Sequence, residues 1–199
     1  MTDENWERTA RIVEFSWWMR ELNTLGVDAF REKRRSYFND VIAGFGGRFR
    51  ASGNVVNIGT GLMSIFDFIE VGGKKTCYEV DPLAEKYAAV AGIPAMVLLS
   101  TELIENESAD VVICINMLDH TSEPERMVSE IHRMLRKDGV FYFEVNFDKY
   151  ESPAHYQHFS KKLVHQMFGE KFKIKFEKIK ADCGPLKNWD EYYAIMEKV

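Results

Sequence analysis

The apolar positions of this chain change rhythm along its length. Helical spacing comes first, short unbroken runs divided by helical patterns follow, and strict alternation closes the chain. Residues 3–25 predict an amphipathic helix, with Trp6, Ala10, Val13 and Trp17 at helical steps and Ile12, Phe15, Met19 and Leu22 beside them; Gly26 breaks it. A second helix is predicted from Asp28 to Phe45. Its apolar side is Phe30, Tyr37, Phe38, Val41, Ile42 and Phe45, and REKRR faces water. Gly44, Gly46 and Gly47 then lead into a strand. The chain reads as a single domain over residues 1–199, with a helical cap (1–50) on an α/β core (51–199). Trp17-Trp18 has two readings, core packing or a lid over a ligand, and helical spacing favours packing.

From Gly53 the pattern alternates strand and helix. Val55, Val56 and Ile58 form an apolar run that stops at Gly59 and Gly61. Leu62, Ile65, Phe66 and Ile69 then predict a helix, ended by Gly72-Gly73. A second strand is expected over Lys74–Val80, ending at Asp81-Pro82. A helix over Leu83–Ala91 follows, closed by Gly92 and Pro94, and then a short strand over Ala95–Leu99. Asp110–Ile115 is an apolar run suited to a sheet covered on both faces. The helix Glu123–Lys137 carries a capping box in Ser122 and Glu125, Pro124 in its first turn and Gly139 at its far end. Val140–Val145 is the fifth strand, and Ser160 caps a helix through Phe168 that Gly169 stops.

The tail decides the fold. KFKIKFEKIK (171–180) alternates Phe172, Ile174 and Phe176 with lysines, and WDEYYAIMEKV (189–199) is a further strand. The connector between them, ADCGPLKN, is too short for a parallel crossover, so the two strands must be antiparallel.

Composition narrows the function classes. A net charge of −5 and the lack of a sustained basic block give no reason to expect nucleic acid. The lysines of 173–180 are the wet face of a strand. No apolar stretch approaches a membrane span, and the N-terminus lacks a signal-peptide core, so a cytoplasmic protein is expected. Cys77, Cys114 and Cys183 read as reduced, small buried hydrophobes. Oligomerisation through the Trp-rich first helix, as a homodimer, is left open.

A strand, a glycine turn, a helix start and an acid closing the next strand form one half of a nucleotide-binding βαβ unit. With the closing antiparallel pair, the chain resembles the class I S-adenosylmethionine-dependent methyltransferases over roughly residues 53–199. NIGTG (57–61) resembles their glycine motif and EVDP (79–82) their ribose-binding acid. Residues 108–146, including Leu118-Asp119-His120, resemble their fourth strand, helix and fifth strand, and residues 158–169 their helix before the sixth strand. The resemblance implies a Rossmann-like, seven-stranded, mostly parallel sheet with an antiparallel last strand and helices on both faces. It also implies S-adenosylmethionine as cofactor, with S-adenosylhomocysteine as product. Asn57, Gly59, Thr60 and Gly61 would then face the methionine part of the cofactor, and Asp81 the ribose. Ser100 and Thr101, with Glu102, would lie at adenine, and Asn116 and Met117 where cofactor and acceptor meet. The chain departs from the family at Asn57, usually an acid, at Met63, usually glycine, and at the weakly polar Leu98-Leu99-Ser100-Thr101.

Methyl transfer to oxygen or nitrogen of a small-molecule acceptor is the implied reaction. A base near neutral pKa would assist it. His120 and Asp119 leave the fourth strand at the edge where open α/β sheets bind ligands. His155, Tyr156 and His158 lie in the loop Phe147–Phe159 at the same edge. His155-x-x-His158 near Asp148 is weak spacing for a metal, and none is expected. His132 and His165 read as surface residues. Two other classes stay open. One is a methyltransferase-like binding protein without catalysis, suggested by Asn57 and Met63. The other is a nicotinamide-dependent oxidoreductase, suggested by Gly59-x-Gly61 and Asp81.

Overall fold

The computed structural model describes residues 3–73, 76–91, 97–149, 155–184 and 186–199. The Trp6 side chain, Lys74, the Gly92 and Pro94 stop and the start of the strand expected from Ala95 lie outside the described residues.

Seven strands form one sheet in the order β3-β2-β1-β4-β5-β7-β6. They are β1 Val55–Ile58, β2 Cys77–Val80, β3 Val97–Leu98, β4 Ala109–Ile115, β5 Leu135–Asp148, β6 Phe172–Cys183 and β7 Trp189–Lys198. The first five run parallel, β7 pairs antiparallel with β5, and β6 pairs antiparallel with β7. The chain winds outward from β1 in one direction and returns to β4 on the other side. The crevice for ligands in such a sheet lies at the C-terminal ends of β1 and β4.

Helices cover both faces. Helix α2 (Val27–Gly44) lays Phe38 and Val41 against Val55, Val111, Ile113, Tyr142 and Tyr193. The fit is tight at Gly44, where a Cβ would stand 2.2 Å from the Tyr193 ring. The Tyr142 hydroxyl ties cap to sheet by accepting from the Arg50 N–H at 2.8 Å. On the other face α4 (Pro124–Met134) and α5 (Lys161–Phe168) bury Val128, Ile131, Val164 and Phe168 against Val112, Phe141 and Phe143.

Helix α1 (Asp3–Leu25) buries a different stripe from the expected one. Ala10 is buried, but Val13 and Trp17 are exposed, and Trp18, Phe15, Met19 and Leu22 make the contacts. They meet Phe30, Leu62, Leu83 and Tyr87 in a separate apolar cluster beside the ends of β1 and β2, Leu83 standing just before α3 (Ala84–Ala91) and Tyr87 on it. Trp18 therefore packs, as its spacing suggested, and what it packs on is the glycine turn.

Three elements differ from the sequence expectation. The helix expected from Leu62 to Ile69 is one 3-10 turn, Ile65–Asp67. Ser64 accepts from the Phe66 N–H at 2.9 Å, and this aromatic, β-branched segment spans too few residues to outweigh that local bond. Helix α4 stops at Met134 because Leu135 already pairs with Ala109 in the sheet. Its N-cap is Glu123, with no side-chain cap bond, so the Ser122–Glu125 capping box does not form. Strand β5 in turn runs on through Asp148, paired with Trp189, where a loop was expected from Phe147. Ser160 caps α5 as expected, accepting from the Leu163 N–H.

Candidate active site

Two turns meet at the crevice. The first follows β1. Gly59 and Gly61 have φ of +79° and +62°, a region that side-chain-bearing residues rarely adopt. Space forbids a side chain at Gly59 as well, since a Cβ there would stand 2.5 Å from the Met117 Cγ; at Gly61 one would meet the Trp18 indole at 3.1 Å. Asp81 holds this turn from the end of β2: its carboxylate accepts from the Gly61 N–H at 2.9 Å and the Leu83 N–H at 2.8 Å. Burial outweighs those two bonds and raises its pKa to about 7.

Glu79, which the sequence reading passed over, stands beside Asn57 in the β1–β2 register. It is buried, its Oε1 has no hydrogen-bond partner, and burial raises its pKa against the lowering influence of Ser64 and Asn57. This arrangement accounts for Asn57 physically, because an acid there would place two buried carboxylates side by side. The available signal was an acid inside a predicted buried strand, two residues before the expected one.

The second turn follows β4. Asn116 has φ +47°, its N–H donates to the Glu144 carbonyl at 3.0 Å, and its side-chain oxygen accepts from the Asn146 amide at 2.8 Å. That left-handed residue sends Met117 over Gly59 and opens a 3-10 turn, Leu118–His120. Asp119 is fully buried, and neither carboxylate oxygen has a hydrogen-bond partner. The Tyr156 N–H donates to the Asp119 carbonyl at 2.8 Å and so fastens the loop after β5 to this turn. His155 arrives with it. Its Nδ1 contacts Asp148 and lies 3.6 Å from Asp119 Oδ2, and its ring meets that of His120 edge-on at 4.6 Å. Burial lowers the His155 pKa, but the Asp148 hydrogen bond and the Asp119 charge outweigh it and leave the pKa raised. Glu144, buried on β5, is driven well above the carboxylate range by burial, then by Asp119 and Glu191.

The expected site residues therefore separate. Asp119, His120 and His155 come together, and Gly59, Thr60, Gly61, Asp81, Asn116 and Met117 line the two turns. His158 does not join them: it is exposed, because an i, i+3 spacing brings side chains together only on a helix and this loop is not one. Ser100 and Thr101 are engaged locally. Ser100 caps the turn Thr101–Leu103, and the Thr101 hydroxyl donates to Glu130 on α4 at 3.1 Å. Of the histidines expected at the surface, His165 is exposed beside Glu177, and His132 is partly buried with its ring edge-on to Phe172.

The donor set of the first turn fits S-adenosylmethionine. The turn carries no side chain at Gly59 and Gly61, the buried Thr60 hydroxyl has no partner in the protein, and Asp81 supplies a carboxylate for a vicinal diol.

Known proteins place this architecture. Residues 56–143 match a family model described as a methyltransferase domain. The thiol S-methyltransferase TMT1B of Mus musculus is 28% identical over 141 residues, covering 65% of this chain and 56% of that protein. The chain thus spans about half the length of the curated relatives it matches. Among solved structures, a methyltransferase bound to the Haloferax volcanii Trm112 activator superposes with a TM-score of 0.63 at 15% identity, covering 92% of this chain and 94% of that one. Phosphoethanolamine N-methyltransferase 2 of Haemonchus contortus, solved with S-adenosyl-L-methionine, gives 0.57 at 12% identity, covering 80% of this chain and 52% of that one. By strand order and glycine turn the chain has the fold of the class I S-adenosylmethionine-dependent methyltransferases, and residues 56–143 are similar to a methyltransferase domain.

Proposed function

We propose that this chain transfers a methyl group from S-adenosylmethionine to an oxygen or nitrogen of a small molecule. The observation that supports this most is the convergence of Asp119, His120 and His155 at the same sheet edge as the glycine turn, with Met117 joining the two. S-adenosylmethionine supplies an activated methyl group. The protein's part is to hold the acceptor in line with it, exclude water and take up the acceptor's proton. Gly59, Thr60, Gly61 and Asp81 would hold the cofactor, and Asn116 and Met117 would border its reacting end. His120, one-fifth exposed, is placed to accept the proton, with Asp119 Oδ2 at 4.0 Å to stabilise the imidazolium that forms.

The name of the mouse relative supports sulfur as a second acceptor. A thiol ionises near neutral pH and needs less help from a base, so the readings separate by experiment. Purified protein with S-adenosylmethionine and a panel of small alcohols, amines and thiols should release S-adenosylhomocysteine. His120→Ala should lower turnover of an alcohol or amine about 10²- to 10⁴-fold and spare that of a thiol. No release with any acceptor class, under conditions where the cofactor binds, would contradict methyl transfer.

A further inference from the structure

Asp119 poses a physical problem that methyl transfer does not resolve. A fully buried carboxylate with both oxygens unpartnered is costly unless something cationic faces it. The groups that do face it are two imidazoles, and each stands too far away for a hydrogen bond. Asp119 Oδ2 lies 3.6 Å from His155 Nδ1 and 4.0 Å from His120 Nε2. One ligand atom from each of the three residues falls within 4.8 Å of the others. Metal–ligand bonds of about 2.0–2.2 Å set neighbouring tetrahedral ligands about 3.4 Å apart, close to this spacing. Too long for hydrogen bonding, the separations suit an ion in the middle.

Asp148 contacts the same His155 Nδ1 that faces Asp119, so an ion bound at that nitrogen replaces this hydrogen bond. The Tyr156 N–H to Asp119 carbonyl bond fixes the His155 loop against the turn that carries Asp119 and His120, so the donors are held before any ion arrives. The residues come from two places far apart in sequence, which is why loop spacing gave no sign of them.

We propose that Asp119, His120 and His155 bind one first-row divalent transition ion. Two imidazoles and one carboxylate suit Zn²⁺, Fe²⁺ or Mn²⁺ more than Mg²⁺ or Ca²⁺, which prefer all-oxygen sites. Three protein ligands leave a coordination position open at the edge where the acceptor is expected. With the ion bound, His120 is a ligand and no longer the proton acceptor, and the ion would itself acidify an acceptor hydroxyl or thiol in that position.

The test is metal binding to chelator-stripped full-length protein, using Zn²⁺ and Mn²⁺ by calorimetry and Co²⁺ by visible absorption. One equivalent of Zn²⁺ should bind with Kd of about 1 μM or tighter. Co²⁺ should give the visible bands of a low-coordinate nitrogen and oxygen site. Asp148→Asn removes a competing acceptor at His155 Nδ1 and should not weaken binding. Asp119→Asn and His120→Ala should weaken it at least about 10- to 100-fold, and His158→Ala, outside the cluster, should leave it unchanged. His120 is partly exposed, so its variant tests the site even if Asp119→Asn fails to fold. Absence of Zn²⁺ and Co²⁺ binding would overturn the site, as would binding that survives His120→Ala or is lost in His158→Ala. The ion titration needs no methyl donor. Protein that binds Zn²⁺ but not S-adenosylmethionine would remove the methyl-transfer reading and keep the ion site, and the reverse result would do the opposite.

Discussion

The two walls of the crevice are built on opposite principles. On the β1–β2 side the turn is held by the protein itself: Asp81 accepts two backbone N–H bonds and Trp18 roofs Gly61, while the Thr60 hydroxyl and Glu79 Oε1 lack partners. On the β4–β5 side, Asp119 has both oxygens unpartnered, Glu144 has one, and His155 sits between two carboxylates. A turn whose carboxylate is bonded to its own backbone keeps its shape when a ligand comes and goes. A wall with buried bonds unmade is waiting for a partner, since leaving them so costs stability. On the proposed function, the first wall holds the cofactor through backbone shape and the second takes an acceptor or ion that completes it.

The largest effect should come from damaging the first wall where its shape is least negotiable. Gly59→Ala puts a Cβ 2.5 Å from Met117 Cγ at a φ of +79°. Strain and overpacking together should cost about 2–5 kcal/mol in urea unfolding and remove S-adenosylmethionine binding. Met117→Ala in the same chain should recover part of the stability, because it clears the contact but not the backbone strain. If Gly59→Ala unfolds like the parent, the two turns do not meet as described.

Next comes the second wall. His120→Ala should lower turnover of an oxygen or nitrogen acceptor about 10²- to 10⁴-fold, as loss of a proton acceptor does, while cofactor affinity measured by calorimetry stays the same. A matching loss of cofactor affinity would show that the walls are not separate.

Asp81 sharpens the comparison because its two roles oppose each other in pH. Its folded pKa, about 7, lies above the unfolded value, so its stabilising contribution is complete below the unfolded pKa and is lost as pH rises through 7. Raising pH from 6 to 8 should therefore cost the free protein about 1 kcal/mol through this residue. Over the same range cofactor binding should tighten, since an ionised carboxylate is the stronger acceptor for the ribose hydroxyls. Asp81→Asn should flatten both trends and weaken binding about tenfold or more. Parallel trends in stability and affinity would contradict the assignment.

The smallest effect lies away from the crevice. Burial raises the pKa of Glu177, but hydrogen bonds from Lys161, His165 and Tyr192 outweigh it and hold the pKa at about 2. With a depressed folded pKa, its contribution is present above the unfolded value and fades as pH falls toward 2. The side chain is 29% exposed, so Glu177→Gln should cost no more than about 1 kcal/mol at pH 7, and the difference should vanish in acid.

Most of the fold was legible in the sequence because hydrophobic period and punctuation both spoke for it. The apolar run Val55–Ile58, the glycines after it and the lysine alternation of 171–180 each fixed an element and its face. The errors fell where short-range signals competed. Ser64 favoured a single 3-10 turn over a helix, and pairing of Leu135 with Ala109 ended α4 early. The first wall was legible because its residues sit within a contiguous motif. The second was legible only in its members: His120 and His155 were candidates, but their meeting depends on the Tyr156–Asp119 backbone bond between distant segments. No periodicity reports such a contact, which is also why His158 was grouped with them and Glu79 was passed over.

The most direct test of the account is calorimetric titration of the full chain with S-adenosylmethionine, with NADH titrated separately as the contrast. The account predicts a single site of micromolar affinity for S-adenosylmethionine and no heat with NADH. Silence with S-adenosylmethionine would contradict it, and would mean that the first wall, with Trp18 over Gly61 and Met117 over Gly59, is packed for structure alone.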